Sequence, residues 1–188
     1  LSAGYDIGLF QLTESVQGVT PATRYTGTSE LGKVGTFVGF GMTGNGITGV
    51  DSWDGIKRGV QNVIDKFEKP AKNRVFLSDF DNPERPRDSR MGSKTPLDLE
   101  GLIAFGDSGG GVFITDGQQQ VLAGINSYLR AYDWEVDADY GAVSGHTRVS
   151  AFNAWIDSVI AGFSAGALAS DFALAEAGLM PTGGMAPV

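Results

Sequence analysis

Apolar residues come in short bursts as far as about residue 150, and each burst is bounded by Gly, Pro, Asn or Asp. Runs of that kind read as strands: Tyr5 to Leu12, Val34 to Phe40, Val60 to Phe67, Arg74 to Phe80, Gly111 to Thr115, Val121 to Tyr128 and His146 to Val149. Successive strands with no helical stretch between them predict an all-β barrel or sandwich. Asp116-Gly117, between two of the runs, predicts a tight hairpin. The period changes after Ser150, which has the side chain of an N-cap. Phe152, Trp155, Ile156, Val159, Ile160 and Phe163 then recur at helical spacing and predict one helix. From Ala161 the chain turns Ala/Gly-rich, which reads as a second short helix and a linker, and no internal repeat is present.

The stretch from Ser78 to Leu99 breaks the pattern. It is polar, carries Pro83, Pro86 and Pro96, and reads as a long surface loop. Asp79, Asp81, Asn82 and Glu84 gather oxygen ligands there, yet their spacing matches no EF-hand, so a calcium loop and a plain solvated loop both fit. Arg85, Arg87 and Arg90 alternate with acids in the same stretch and form no basic patch.

Composition agrees with a turn-rich β protein: 188 residues, 41% hydrophobic, 19% charged and 28 glycines. The formal charge of −8 excludes a phosphate-binding partner such as nucleic acid. With no cysteine there is neither a disulfide framework nor a thiolate metal site, and no apolar stretch is long enough to span a bilayer. No cofactor is expected. No signal peptide is visible, and the chain begins with Leu1, which reads as a processing point or a truncation, so the missing signal says nothing about export.

Two glycine motifs compete for a chemical role. Gly39-Phe-Gly41-Met-Thr-Gly44 satisfies the first half of a dinucleotide fingerprint, but Asn45-Gly-Ile-Thr-Gly49 follows it. That is turn chemistry, and without a helix N-terminus there is nothing to hold a pyrophosphate. Gly106-Asp-Ser-Gly-Gly-Gly111 is different. A serine is a nucleophile only where a base takes its proton and donors hold the oxyanion. Glycine before the serine lets the Gly106 and Ser108 N–H groups point at one spot, and Asp107 beside it needs a partner if buried. A Gly-rich turn with an incidental serine also fits this segment taken alone.

The flanking segments favour the nucleophile. Gly106-Asp-Ser-Gly resembles the nucleophile motif of the chymotrypsin/trypsin family of serine endopeptidases, and further resemblances follow in family order. Tyr5-Asp-Ile-Gly-Leu-Phe-Gln-Leu12 resembles the triad-aspartate strand, and Val38-Gly-Phe-Gly41 the strand that opens the second barrel. Leu122-Ala-Gly-Ile-Asn-Ser-Tyr128 resembles the strand that supports the aspartate. Thr147 to Ile156 resembles the last strand and terminal helix. The resemblance covers about residues 1 to 160.

It implies a chymotrypsin-like double β-barrel, present here mainly as the second barrel plus a C-terminal helix. The implied segments are the last strand of the first barrel (1–20), an inter-barrel connection (21–32), the second barrel with its helix (33–163) and an Ala/Gly-rich tail (164–188). Ser108 is then the nucleophile, Asp6 the triad aspartate and Ser127 its support, with the Gly106 and Ser108 N–H groups as oxyanion hole. Asp107 in the family pairs with the new N-terminus made on activation. Leu102 corresponds to the base of the specificity pocket, with Tyr128, Leu129 and Ser144 along its walls, which implies an apolar residue before the scissile bond. A register error of one or two residues would bring Asp98 or Glu100 to the pocket instead.

One member of the triad is missing. The family order is histidine, aspartate, serine, and the only histidine here is His146, after the serine. Its place in the last strand makes it a cleft-wall residue within reach of the pocket, not the base. The resemblance therefore implies either an endopeptidase whose histidine lies in an upstream segment, or an inactive homologue that binds proteins. It also implies a secreted or cell-envelope bacterial protein acting on protein or peptide substrates.

Overall fold

The computed structural model describes residues 3–69, 71–133, 135 and 137–164. They fall into two compact units, residues up to Ile7 together with Thr20–Ala151, and Gly8–Val19 together with residues from Phe152 onward. The protein is mainly β. The first unit is an antiparallel half-barrel sheet and the second carries the helix.

The strands are β1 (Thr23–Arg24), β2 (Val34–Gly39), β3 (Thr43–Asn45), β4 (Gly49–Ser52), β5 (Arg58–Val63), β6 (Lys66–Phe67), β7 (Val75–Asp79), β8 (Gly111–Asp116), β9 (Gln119–Arg130) and β10 (Val143–Arg148). The main sheet runs β5-β2-β8-β9-β10-β7-β6, with β1 added in parallel to β9. Alternation sets its inner face: Phe37 from β2, and Val112 and Ile114 from β8, are buried with Ile64, Phe76, Ile103, Val121 and Ala123. The hairpin at Asp116-Gly117 forms, with Asp116 paired to Gln119 and Gly117 at φ +61°.

The two ends of the sheet are consecutive in the chain. Between β5 and β6 stand only Ile64 and Asp65, and here the chain turns back onto β7. The Asp65 N–H donates to the Leu77 carbonyl at 2.9 Å, and Asn62 Nδ2 donates to the Asp79 carbonyl at 2.8 Å. The run expected over Val60 to Phe67 is thus two strands hinged at Ile64-Asp65.

Two other expectations change. Tyr5 to Leu12 forms no strand, although it alternates as one. A strand needs an edge to pair with, and this stretch pairs with none of the described strands; Phe10 stands 91% exposed. Within the segment expected as a connection, Thr23 and Arg24 pair with Val121 and Leu122. The glycine stretch after Gly39 folds as the β3–β4 hairpin, where Asn45 Oδ1 accepts from the Ile47 and Thr48 N–H groups.

A 3₁₀ turn, Val149–Phe152, leads into α1 (Asn153–Ser164), where the Phe152 and Trp155 rings meet edge-on at 6.2 Å. Ser150 does not cap this helix. Its hydroxyl donates to Glu30, a fully buried carboxylate that also takes Arg148 Nε at 2.8 Å and Nη2 at 2.9 Å. Of the tail expected at 164–188, only Ser164 is described, as the last residue of α1. No helix among the described residues is long and apolar enough to cross a membrane.

Candidate functional site: the Gly106–Gly111 turn

The turn hangs between β2 and β9. The Asp107 N–H donates to the Ala104 carbonyl at 3.1 Å, closing a turn that needs Gly106 at φ +93°. Gly109, at φ +81°, donates to the Asn126 carbonyl at 2.9 Å, and Asn126 N–H returns a bond to Gly110 O at 2.8 Å. These ties leave Ser108 exposed at the crest. Neither its hydroxyl nor the N–H groups of Gly106 and Ser108 has a hydrogen-bond partner among the described residues.

Asp107 points the other way, and its partners are backbone amides. Its Oδ1 accepts from Gly41 N–H and its Oδ2 from Ala104 N–H, each at 2.7 Å. No ion pair to it occurs among the described residues. The glycines before it make the room. A Cβ on Gly39 would lie 2.0 Å from Asp107 Oδ1, and one on Gly41 would lie 2.6 Å from its Cγ. The Gly-x-Gly that imitates a nucleotide fingerprint is therefore the cradle of a carboxylate.

Asn126 on β9 locks the arrangement to the core. Its Nδ2 donates to the Val38 and Asp107 carbonyls, each at 3.2 Å, so its Oδ1 must face His146 Nδ1, 3.1 Å away. The imidazole then carries its proton on Nδ1 and accepts from Ser144 Oγ at Nε2, 2.8 Å away. It lies between the Phe37 and Phe76 rings, with no exposed surface. Burial pulls its pKa down to about 3, so it is a neutral core residue. The position expected to reach a cleft wall does not do so.

Asp6 reaches the next residue along β9. Ser127 Oγ donates to Asp6 Oδ2 at 2.6 Å, and Thr147 Oγ1 donates to the Asp6 carbonyl at 2.8 Å. The Ser108 turn is bonded to Asn126 and the Asp6 carboxylate to Ser127, so both hang from adjacent residues of one strand. With His146 buried, no imidazole serves them from within this chain.

The expected pocket residues separate. Leu102 lines a cavity of about 460 Å³ with Gly41, Arg58, Glu100, Ala104 and Asp107 among its walls. Tyr128, Leu129 and Ser144 do not line it. Ser144 is fully buried beside His146, and Leu129 packs against the main core. Tyr128 donates its hydroxyl to Glu68 Oε2 at 2.7 Å, and burial together with that carboxylate raises the pKa of the phenol. Ser144 to His146 escaped an alternation argument because β10 is buried on both faces and bulges between Gly145 and His146.

The 78–99 stretch is not simply solvated. Ser78 and Asp79 belong to β7 and are buried, and beyond them Asp81 is 3% exposed. Asn82 Oδ1 accepts from the Glu84 and Arg85 N–H groups, so it closes a turn. No group of three or more acidic or histidine side chains that could hold a metal ion occurs among the described residues. No family model matches the chain, and no curated protein matches it either.

Proposed function

We propose that this chain is the nucleophile-bearing part of a serine endopeptidase of the chymotrypsin type. The carrying observation is the Ser127–Asp6 hydrogen bond, 2.6 Å long and joining residues 121 apart, next to the strand residue that holds the Ser108 turn. In this reading the half-barrel is the second barrel of the pair, and the histidine is contributed by an upstream segment. Ser108 Oγ attacks the peptide carbonyl as its proton passes to that imidazole, which Asp6 orients. The oxyanion sits on the free N–H groups of Gly106 and Ser108. When the C–N bond breaks, the imidazole returns the proton to the leaving amine, and water then releases the acyl group. Leu102 gives the cavity an apolar wall that suits an apolar residue before the scissile bond, and Glu100 and Asp107 in the same wall offer a cation a partner as well. Acting on peptides or proteins outside the cell, from a bacterial source, is the setting the resemblance carries.

A binding role without catalysis is supported by one observation: the single histidine is locked in the core. A fluorophosphonate probe on the natural, full-length protein separates the two. Labelling at Ser108 that is lost in Ser108→Ala and strongly slowed in Asp6→Asn supports the peptidase. A folded protein that takes no label, from a gene with no histidine in a Thr-Ala-Ala-His-like context upstream, leaves the binding role.

A further inference from the structure

The polar loop after β7 is fastened by carboxylates, and one of their oxygens has no donor. Asp79 Oδ2 accepts from the Arg90 and Met91 N–H groups, the latter at 3.1 Å. Asp65, at the hinge between β5 and β6, accepts the Ser93 N–H on Oδ1 at 2.9 Å. Gly92 makes that approach possible, because a Cβ there would lie 1.9 Å from the same oxygen. Glu100 closes the far end, taking Asp81 N–H on Oε1 and Leu97 N–H on Oε2, each at 2.7 Å. Asp79 is 1% exposed, and its Oδ1 has no hydrogen-bond partner. Asp65 and Asp79 take N–H groups only two residues apart, from Ser93 and Met91, which brings both acids to one short stretch of the loop. Two ionised carboxylates cannot bond to each other, but a carboxylic acid and a carboxylate can.

We propose that Asp65 and Asp79 share one proton, Asp65 donating it to Asp79 Oδ1, and that this pair is an acid-favoured clasp fastening residues 81–99 to the sheet. It satisfies the buried oxygen without a metal. The surroundings bias the pair toward holding its proton. Burial, with the Asp79 charge adding to it against the Ser93 N–H, raises Asp65 to about 7. Asp81 is raised to about 6 by burial and then Asp79, with Ser89 and Lys94 opposing, and Glu100 is raised by burial too. The guanidinium of Arg90 is turned away over the Tyr132 ring at 5.0 Å. The loop ends at Glu100, from which the chain runs on as the cavity wall to Ala104.

The sign follows from linkage. The fastened loop holds the proton up to about pH 7, whereas a released Asp65 holds it only to the ordinary aspartate value of 3.8. The clasp is therefore at full strength below that value, weakens as pH rises, and contributes nothing above about 7. Hydrogen exchange at the Arg90, Met91 and Ser93 amides, corrected for intrinsic rates, reads it directly. At pH 5 their protection is expected to exceed that at pH 8 on the order of a hundredfold. Asp65→Asn, whose amide donates at every pH, should lose most of that difference and keep only the smaller part that Asp81 and Glu100 contribute. Carbon-13 NMR of the unmodified protein should show the Asp65 carboxyl titrating near 7. Equal protection at both pH values in the wild type, an Asp65→Asn protein that keeps the full pH dependence, or an Asp65 carboxyl that titrates in the ordinary carboxylate range overturns the proposal. So does recovery of protection at pH 8 on adding millimolar calcium, since the open oxygen would then be a metal ligand.

Discussion

Gly39→Ala should be far more damaging than an alanine at the end of a strand ordinarily is. Gly39 is not in the left-handed region, so the backbone itself accepts alanine, and a lower unfolded-state entropy would even favour the change by about 0.4–1 kcal/mol. The added Cβ, however, would lie 2.0 Å from Asp107 Oδ1 and 2.7 Å from its Cγ. The carboxylate must leave, and with it go two charge-assisted bonds of 2.7 Å, to Gly41 and Ala104. Bonds to a charged group contribute about 1.5–3 kcal/mol each when buried. Asp107 is half-buried, so we take the lower end of that range for both bonds and, after the entropic gain, expect a net loss of about 2 kcal/mol. At this chain length that lowers the melting temperature by about 4–8 °C. The decisive assay is a double-mutant cycle by denaturant unfolding with Asp107→Ala. If the clash with the carboxylate is the cause, Gly39→Ala should cost under about 1 kcal/mol in the Asp107→Ala background, where the Cβ at 107 still lies 3.0 Å from the added one, a coupling of at least about 1 kcal/mol. Additive losses would refute the cradle.

Two more outcomes follow from buried charge. His146 is held neutral down to about pH 3 against 6.5 unfolded, so its contribution is intact above 6.5 and falls as pH drops from there toward 3. Relative to His146→Gln, the wild type should lose about 3 kcal/mol between pH 7 and 4.5, and a pH-independent difference would place the imidazole in contact with water. Arg148→Met should cost about 3–5 kcal/mol in chemical denaturation, because it strands the fully buried Glu30 carboxylate. A loss under about 1 kcal/mol would mean that the pair is solvated.

What was legible in the sequence was whatever local chemistry decides. Gly117 is needed for its hairpin and Gly106 for its turn, and both positions carry the positive φ that the residue type announces. Ser127 and Asp6, paired on the strength of a resemblance, do meet. The reading failed where a partner far along the chain decides. Tyr5 to Leu12 has the alternation of a strand, but alternation cannot supply the neighbouring edge. The loop after β7 looked solvated because its fasteners are side chains of Asp65, Asp79 and Glu100 bonded to backbone amides, and amides leave no mark in a sequence. Ser144 and Leu129 were placed by position in a strand whose two buried faces and bulge cancel the usual rule.

Asn126 spans all of this with one side chain. The same amide group touches β2 through Val38, the Ser108 turn through Asp107, and the ring buried on β10. The six residues around Ser108 consequently do not form a portable cassette. Grafted into another sheet, Gly106–Gly111 would arrive without the carboxamide that carries it. Conversely, an engineer who repacks the core around His146 will be redesigning the crest of the turn, whether or not that was the aim.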